Sequence, residues 1–354
     1  MQNLTKLPDS IYFGDIKSTF KAWLDQQNYS SYFMLVDSSS SVYCLPETQN
    51  IHPDIKWNII EIPRGEQYKT ITTCSIIWEE LFKNGADRHS LLVNLGGGVI
   101  GDMGGFAAGT YMRGIDFVQI PTTLLSMVDA SVGGKVAVDF RLAKNIIGLF
   151  KDPVAVFIDR LWLNTLPNKQ KKSGWAEMLK HTLIADEPGF QKIQKTSIYD
   201  IDWDEWIQHS VQIKNKIVQS DPLEKGFRKG LNFGHTVGHA VETYFLEKET
   251  PKTHGECVAI GMICSAYISA KISTLSEDQL ADIVTVIKKW YDKIIIPEEG
   301  MDEIMALISH DKKNRSGQPN FTLITSIGEY IYDQHPSLEI IKASMRYYNS
   351  QIQA

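Results

Sequence analysis

A chain of 354 residues, 43% hydrophobic and 22% charged, is long enough for two domains that each bury a core. Its net charge of −6 at pH 7 argues against a dedicated nucleic-acid binder. The four cysteines, Cys44, Cys74, Cys257 and Cys264, show no CxxC spacing, and free buried thiols in a reducing compartment are the simplest account. The start of the sequence lacks a basic region followed by an apolar run, so no signal peptide is expected. No uninterrupted apolar run reaches the length of a membrane span. The expectation is a cytoplasmic protein with neither membrane nor nucleic-acid partners.

The first half alternates short apolar, β-rich runs with helical stretches. Tyr32 to Val36 reads as a buried strand that ends on Asp37 and a serine cluster, and Trp57 to Ile62 reads as a second strand. Lys69 to Lys83 has helical periodicity, with Asn84-Gly85 as its stop. Leu91 to Leu95 is another strand, followed at once by GGGVIGD, Gly96 to Asp102. Phe117 to Ile120 and Val154 to Ile158 complete a set that predicts a parallel sheet covered by helices. After Leu166-Pro167 the pattern becomes helical: Trp175 to Ala185, Trp203 to Gln219, Leu231 to Glu247, His254 to Lys271 and Glu277 to Tyr291. Pro222, Pro251 and Pro297 punctuate these segments, and only Asn320 to Thr325 looks extended again. The expected architecture is an α/β, Rossmann-like dinucleotide-binding domain over residues 1–167 followed by a mainly α-helical domain over 168–354.

Gly96, Gly98 and Gly101 fit GxGxxG between a strand and a helix, a context in which glycines let backbone N–H groups approach a pyrophosphate. A tight packing turn would look the same. The acid that a strict Rossmann motif wants about 20 residues further on has no good match, since Asp116 is early. Asp37, at the end of an earlier strand, can hold the ribose instead. In the second half, Arg228 to His239 reads RKGLNFGHTVGH, and His235 and His239 share one helix face by their spacing of four. Arg228 and Asn232 continue that spacing backwards, although the glycines leave open where the helix begins. Glu177 lies in GWAEMLKH with Lys180 and His181 at helical spacing, and His254-Gly255-Glu256 opens an apolar helix. One carboxylate and two imidazoles suit a catalytic zinc site. Six residues compete for those places (Glu177, His181, His235, His239, His254 and Glu256), and spacing alone does not choose among them. A metal beside a nicotinamide cofactor suggests alcohol oxidation. Lys135 and Lys144 flank glycine-rich or apolar turns rather than charge runs, and with Lys180, Lys214 and Arg228 as further cations they point to an anionic substrate carrying phosphate and carboxylate.

Taken together, these motifs resemble those of the 3-dehydroquinate synthases, the cyclases of the shikimate pathway, over nearly the whole chain. The resemblance rests on GGGVIGD from Gly96, YMRG from Tyr111, PTTLLSMVDASVGGK from Pro121 and KNIIG from Lys144. It continues through AEMLKH from Ala176, LNFGHTVGHAVE from Leu231, HGECVAIGM from His254 and DKK from Asp311. The resemblance implies that Glu177, His235 and His254 bind a divalent metal, zinc ahead of cobalt, and that His239 faces the substrate. It places Asp37, Glu66, Lys69, Gly97, Gly98, Asp102, Thr122, Thr123, Lys135, Lys144 and Thr165 at NAD. It places Asp129, Lys135, Lys144, Asn145, Lys180, Lys214, Arg228 and Asn232 at the substrate, with one lysine of the pair Lys312-Lys313, taken as Lys313. Arg113 is implied to reach the phosphate in the neighbouring subunit of a homodimer.

The implied substrate is 3-deoxy-D-arabino-heptulosonate 7-phosphate. NAD oxidation at carbon 5 acidifies the adjacent proton, phosphate leaves, the ketone is reduced again, and ring opening and an aldol step close the carbocycle. Three departures from the family pattern stand out: Lys135-Val136-Ala137 for Lys-Thr-Gly, Asp221-Pro222 for Asp-Glu, and a bulky Trp175 before Ala176-Glu177. None removes a proposed catalytic group. The rival readings are a valiolone or inosose cyclase, a metal-dependent polyol dehydrogenase, and an NAD-binding regulatory or scaffold protein, whose usual sign of lost ligands is missing here because Glu177, His235 and His254 are all present.

Overall fold

The computed structural model describes residues 10–141, 143–197, 200–309 and 318–353, and the chain forms two compact units, 1–167 and 168–354. In the first unit the elements run β1 (Ile11–Phe13), α1 (Ile16–Leu24), β2 (Tyr32–Asp37), α2 (Ser38–Tyr43), α3 (Leu45–Gln49), β3 (Trp57–Ile62), α4 (Ile71–Lys83), β4 (Leu91–Gly96) and α5 (Gly98–Thr110). They continue with β5 (Asp116–Pro121), β6 (Lys135–Phe140), β7 (Ala143–Phe150) and β8 (Ala155–Ile158). Six strands form one parallel sheet in the order β1-β8-β5-β4-β2-β3. The runs read as buried strands are buried because helices cover the sheet; Phe33, Leu35, Leu92 and Phe117 pack with Ile77 of α4 and Met103, Phe106 and Ala107 of α5. Each such side chain contributes roughly 1.5–3 kcal/mol by leaving water. Helix α5 lies so close to the sheet that a Cβ on Gly104 would sit 1.9 Å from Asn94 Oδ1, so any larger residue there would have to displace the buried Asn94 side chain.

The path of the chain reverses between β2 and β4. From β2 it moves outward to β3, then returns to lay β4, β5 and β8 on the other side. Open α/β sheets bind ligands at the carboxyl ends of the strands flanking such a reversal. Asp37 ends β2 and Gly96 ends β4 at this point.

The antiparallel hairpin β6–β7, with Lys135 opposite Phe150 and Val138 opposite Ile147, was not anticipated from the sequence; neither was β1. The hairpin departs from the helix-covered pattern, since Phe140, Ile146, Leu149 and Phe150 stand exposed.

The second unit contains α6 (Asn168–Ala185), α7 (Glu187–Lys195), α8 (Trp203–Ser220), α9 (His235–Glu247), α10 (His254–Ile272), α11 (Glu277–Trp290), α12 (Met301–Ser309), the hairpin β9 (Phe321–Ser326) and β10 (Glu329–Gln334), and α13 (Leu338–Gln353). Strand β10 corrects the expectation that only one segment here is extended. Helix α10 packs against α6, α9, α11, α13 and β9. Among the described residues it is the one helix long and apolar enough to cross a membrane by length and composition, with 78% of its apolar window buried in the protein.

A second correction concerns the start of α9. The helix expected from Leu231 begins only at His235, because Phe227–Asn232 form a 3₁₀ turn and Gly234 takes φ 78°. That left-handed conformation favours glycine. Arg228 and Asn232 therefore do not continue the helix face of His235 and His239.

Candidate active site: a three-donor cluster and a glycine loop

The C-terminal unit gathers its chemistry from three helices. Glu177 and Lys180, three residues apart on α6, face the same way, and Lys180 Nζ makes a close ion pair with Glu177 Oε2. Glu177 Oε1 lies 3.5 Å from His235 Nε2 of α9 and 3.4 Å from His254 Nε2 of α10. The Glu177 side chain is fully buried, and neither oxygen has a hydrogen bond of good geometry. Burial, the largest influence on this carboxyl, would raise its pKa, but the charge of Lys180 together with His235 and His254 holds it well below the usual range. Burial likewise favours the neutral form of His254, yet its contacts with Glu177 and Glu242 push it up to about 10.

Both imidazoles are fixed from behind. His235 Nδ1 is 3.1 Å from the Phe233 carbonyl oxygen, and His254 Nδ1 is 3.3 Å from Glu242 Oε2. Each Nδ1–H therefore has an acceptor, and each Nε2 points at Glu177. Zinc bonds of about 2.0–2.2 Å in a tetrahedron separate adjacent donors by about 3.4 Å. The spacing of Oε1 from the two Nε2 atoms matches that edge, so this donor set fits a tetrahedral metal.

His239 stays in the neighbourhood, its ring centroid 5.1 Å from that of His235 and 5.7 Å from that of His254. The histidine triplet His235, His239 and His254 also keeps its nearest nitrogens within 4.8 Å of one another. Of the other candidates, Glu256 is committed elsewhere: its Oε2 accepts from Thr253 N (2.7 Å) and Thr253 Oγ1 (2.8 Å) in the capping box of α10. His181 Nδ1 pairs with Ser210 Oγ at 2.7 Å.

Helix α10 is seated on α6 at its first turn. Gly255 N donates to Ser173 Oγ at 3.0 Å, and a Cβ on Gly255 would lie 2.3 Å from the Ser173 carbonyl oxygen. Neither Ser173 nor Glu242 draws notice in the sequence as a group that orders the site. The available signal for Glu242 was its place seven residues after His235, on the same helix face.

In the same unit, Lys214 is buried on α8, and Arg228 is buried with Nη1 donating to the Pro222 carbonyl oxygen at 2.7 Å. The departure at Pro222 is harmless here, since any residue supplies a carbonyl. Asn232 Nδ2 donates to Glu224 Oε1 at 2.8 Å. The bulk of Trp175 is absorbed by a tryptophan cluster: it stacks on Trp290 at 4.3 Å between centroids and meets Trp206 and Trp203 edge-on. The expected substrate lysine of the pair Lys312-Lys313 lies outside the described residues.

In the N-terminal unit, Gly97 precedes α5 and Gly98 opens it, with no side chain capping the first N–H groups. Thr122 N donates to Gly96 O at 2.9 Å, and Thr123 Oγ1 is 2.8 Å from Ser126 Oγ, so both threonines stand beside the loop at the end of β5. Asp37 Oδ1 caps α2 by accepting from Ser39 N at 2.8 Å and Ser40 N at 2.9 Å.

Lys69, 4% exposed, bonds Asp102 Oδ2 of α5 at 2.6 Å and Asn145 Oδ1 of β7 at 2.5 Å. Burial opposes its charge, but Asp102 and Glu66 outweigh burial and raise its pKa, so it stays cationic. Asn145 is itself held in a left-handed conformation, φ 51°, with its N–H on Asp139 Oδ1 at 2.6 Å. Lys144 Nζ lies 3.8 Å from Glu66 Oε1. Asp129 sits in a π-helical turn, Ser126–Ala130, and Lys135 follows two positive-φ glycines at the start of β6. Thr165 ends a 3₁₀ turn, and Arg113 is exposed in a turn where Met112, Arg113 and Gly114 all have positive φ.

These two units have the architecture of sugar-phosphate cyclases, and their fold alone is shared with more distant alcohol dehydrogenases. A 2-deoxy-scyllo-inosose synthase, solved with carbaglucose-6-phosphate, NAD+ and Co2+, superposes with TM-score 0.86 and 26% identity, covering 95% of this chain and 96% of that one. The 2-epi-5-epi-valiolone synthase of Streptomyces hygroscopicus, with NAD+ and Zn2+ bound, gives TM-score 0.86 and 25% identity over 99% of both chains. A probable glycerol dehydrogenase of Sinorhizobium meliloti, 13% identical with TM-score 0.67 and covering 98% of each chain, shares the fold. The sequence is more specific. Residues 59–173 match the 3-dehydroquinate synthase N-terminal family model and residues 174–314 the C-terminal one. The 3-dehydroquinate synthase of Parabacteroides distasonis is 39% identical over 340 residues, covering 94% of this chain and 96% of that protein. That of Rippkaea orientalis is 39% identical over 326 residues, covering 85% and 86%. The chain belongs to the 3-dehydroquinate synthase family.

Proposed function

We propose that the protein converts 3-deoxy-D-arabino-heptulosonate 7-phosphate to 3-dehydroquinate and inorganic phosphate, acting as an NAD- and metal-dependent carbon–oxygen lyase. The observation that carries this reading is the buried Glu177 Oε1 with His235 Nε2 and His254 Nε2 at 3.5 and 3.4 Å, in a chain matching both halves of the family. Glu177, His235 and His254 would hold the metal, zinc by preference or cobalt, and its contribution is to polarise a substrate hydroxyl. NAD supplies reversible hydride transfer, with Asp37, Glu66, Lys69, Gly97, Gly98, Asp102, Thr122, Thr123, Lys135, Lys144 and Thr165 as its proposed contacts.

The chain's own residues do the remaining work. Lys180 neutralises one oxygen of Glu177 and leaves the other facing the imidazoles. The salt-bridged Lys69 holds Asp102 and Asn145 in one arrangement. Arg228, seated on the Pro222 carbonyl, offers its guanidinium to the substrate carboxylate, with Asn232 one turn away. Lys135, Lys144 and Lys214 supply positive charge for the phosphate, and Asp129, Asn145 and His239 orient hydroxyls. The departing phosphate can take the proton itself, so no dedicated base is required.

The proposed assembly is a homodimer in which Arg113 serves its neighbour. The four free, buried cysteines support a reducing, cytoplasmic setting.

The test is a phosphate-release assay with the heptulosonate phosphate, NAD and zinc. Phosphate should appear in step with 3-dehydroquinate while NADH does not accumulate. NADH formed in proportion to product would reassign the chain as a dehydrogenase. Turnover of carboxylate-free sugar phosphates alone would reassign it to the inosose or valiolone cyclases.

A further inference from the structure

Glu242 takes no part in the function described so far, yet it belongs to the metal cluster by geometry. It lies on α9 seven residues after His235, on the face that carries both helix histidines. Its side chain is only 13% exposed, and a carboxylate that far from water needs a partner. One partner is His254 Nδ1, 3.3 Å from Oε2, on a different helix.

His254 is the first residue of α10. Its backbone is already placed by the Thr253–Glu256 capping box and by Gly255 N on Ser173 Oγ. What remains free at such a position is rotation of the imidazole about its two side-chain torsions. An acceptor behind Nδ1 removes that freedom and selects the orientation in which Nε2 faces Glu177 Oε1, 3.4 Å away. His235 obtains the same service from the Phe233 carbonyl within its own chain segment. His254 has to obtain it across helices.

We infer that Glu242 is a positioning residue for the metal centre, accepting the Nδ1–H of His254 so that Nε2 is presented to the ion. The inference rests on the reading of His254 as a ligand and adds the residue that makes it an effective one. Acceptors behind metal-bound histidines contribute roughly 10–100-fold in metal affinity.

The experiment titrates apo protein with Zn2+ against a chromogenic chelator, for wild type, Glu242→Gln, Glu242→Met and His254→Ala. Apo-protein melting temperatures are recorded beside each titration. Glu242→Met keeps the length and removes the acceptor, so Zn2+ affinity should fall about 10–100-fold with little change in apo melting. Glu242→Gln keeps an amide oxygen for Nδ1–H and should bind Zn2+ within a few-fold of wild type. Wild-type affinity in Glu242→Met overturns the inference, as does an equal loss in Glu242→Gln. Should Glu242→Met not fold, Glu242→Leu, which also lacks the acceptor, takes its place and is read by the same criterion. His254→Ala separates the two levels: if it binds Zn2+ like wild type, the ligand assignment itself fails. If it loses Zn2+ while Glu242→Met does not, only the positioning role fails.

Discussion

Gly255→Ala is the sharpest single perturbation of the metal half of the site. A Cβ at residue 255 would lie 2.3 Å from Ser173 O, 2.5 Å from its Cα and 2.7 Å from its carbonyl carbon. Ordinary contact begins near 3.4 Å, so the first turn of α10 must retreat from α6 by 3.4 − 2.3, or about 1 Å. The obstructing atoms are main chain, so no side-chain rotation relieves the clash. Overpacking of this kind costs about 1–3 kcal/mol, and each kcal/mol lowers the melting temperature of a domain of this size by roughly 2–4 °C. Residue 254 is adjacent and moves with the turn, while productive metal bonds tolerate only about 0.2 Å. Zinc affinity should therefore fall by at least about 10-fold. Differential scanning calorimetry of the apo protein and chelator competition read the two effects. Ser173→Ala in the same chain should not rescue Gly255→Ala, because the clash is with the backbone of residue 173. Unchanged melting and unchanged zinc affinity in Gly255→Ala would refute the idea that this close approach registers His254 against Glu177.

The pair of buried Lys69 with half-buried Asp102 gives a second expectation: Lys69→Met should destabilise by about 1–3 kcal/mol, and the double variant Lys69→Met/Asp102→Leu by clearly less, in urea melts. The thiols give a third. Burial raises Cys44, Cys74 and Cys264 to about 12 from an ordinary value of 9.0. A folded pKa above the unfolded one means stability that is whole below pH 9 and lost as pH climbs towards 12, which denaturant melts across that window will show. A thiol reagent at pH 8 should label these three only after unfolding. The fourth concerns assembly. Inactive Arg113→Ala and Glu177→Ala subunits, refolded together, should recover about a quarter of wild-type phosphate release, since half the dimers are mixed and each holds one complete site. No recovery in demonstrably mixed dimers would remove Arg113 from the neighbouring site.

The sequence by itself determined the character of both units. Strands buried on two faces read as unbroken apolar runs, so β2, β4 and β5 were visible, and GGGVIGD announced a strand, a tight turn and a helix in that order. Long helical periods marked the second unit, and the spacing of Glu177 with Lys180 and of His235 with His239 placed each pair on one face. Spacing says nothing about which faces meet. Glu177, His235 and His254 come from three helices, and only packing brings Oε1 and the two Nε2 atoms to a common point. Packing also turned Glu256 into a capping group and brought Glu242 behind His254. The helix expected from Leu231 lost its first turn to the left-handed Gly234, whose conformation the residue type permits and does not compel. The β6–β7 hairpin escaped notice for a related reason. It is exposed on part of its surface and is anchored by remote contacts, Asn145 to Lys69 and Asp139 to the Lys69 carbonyl, which lie some 70 residues apart in the chain. Local pattern records which side of an element is apolar, whereas the identity of its partner is settled by close packing of side chains distant in sequence.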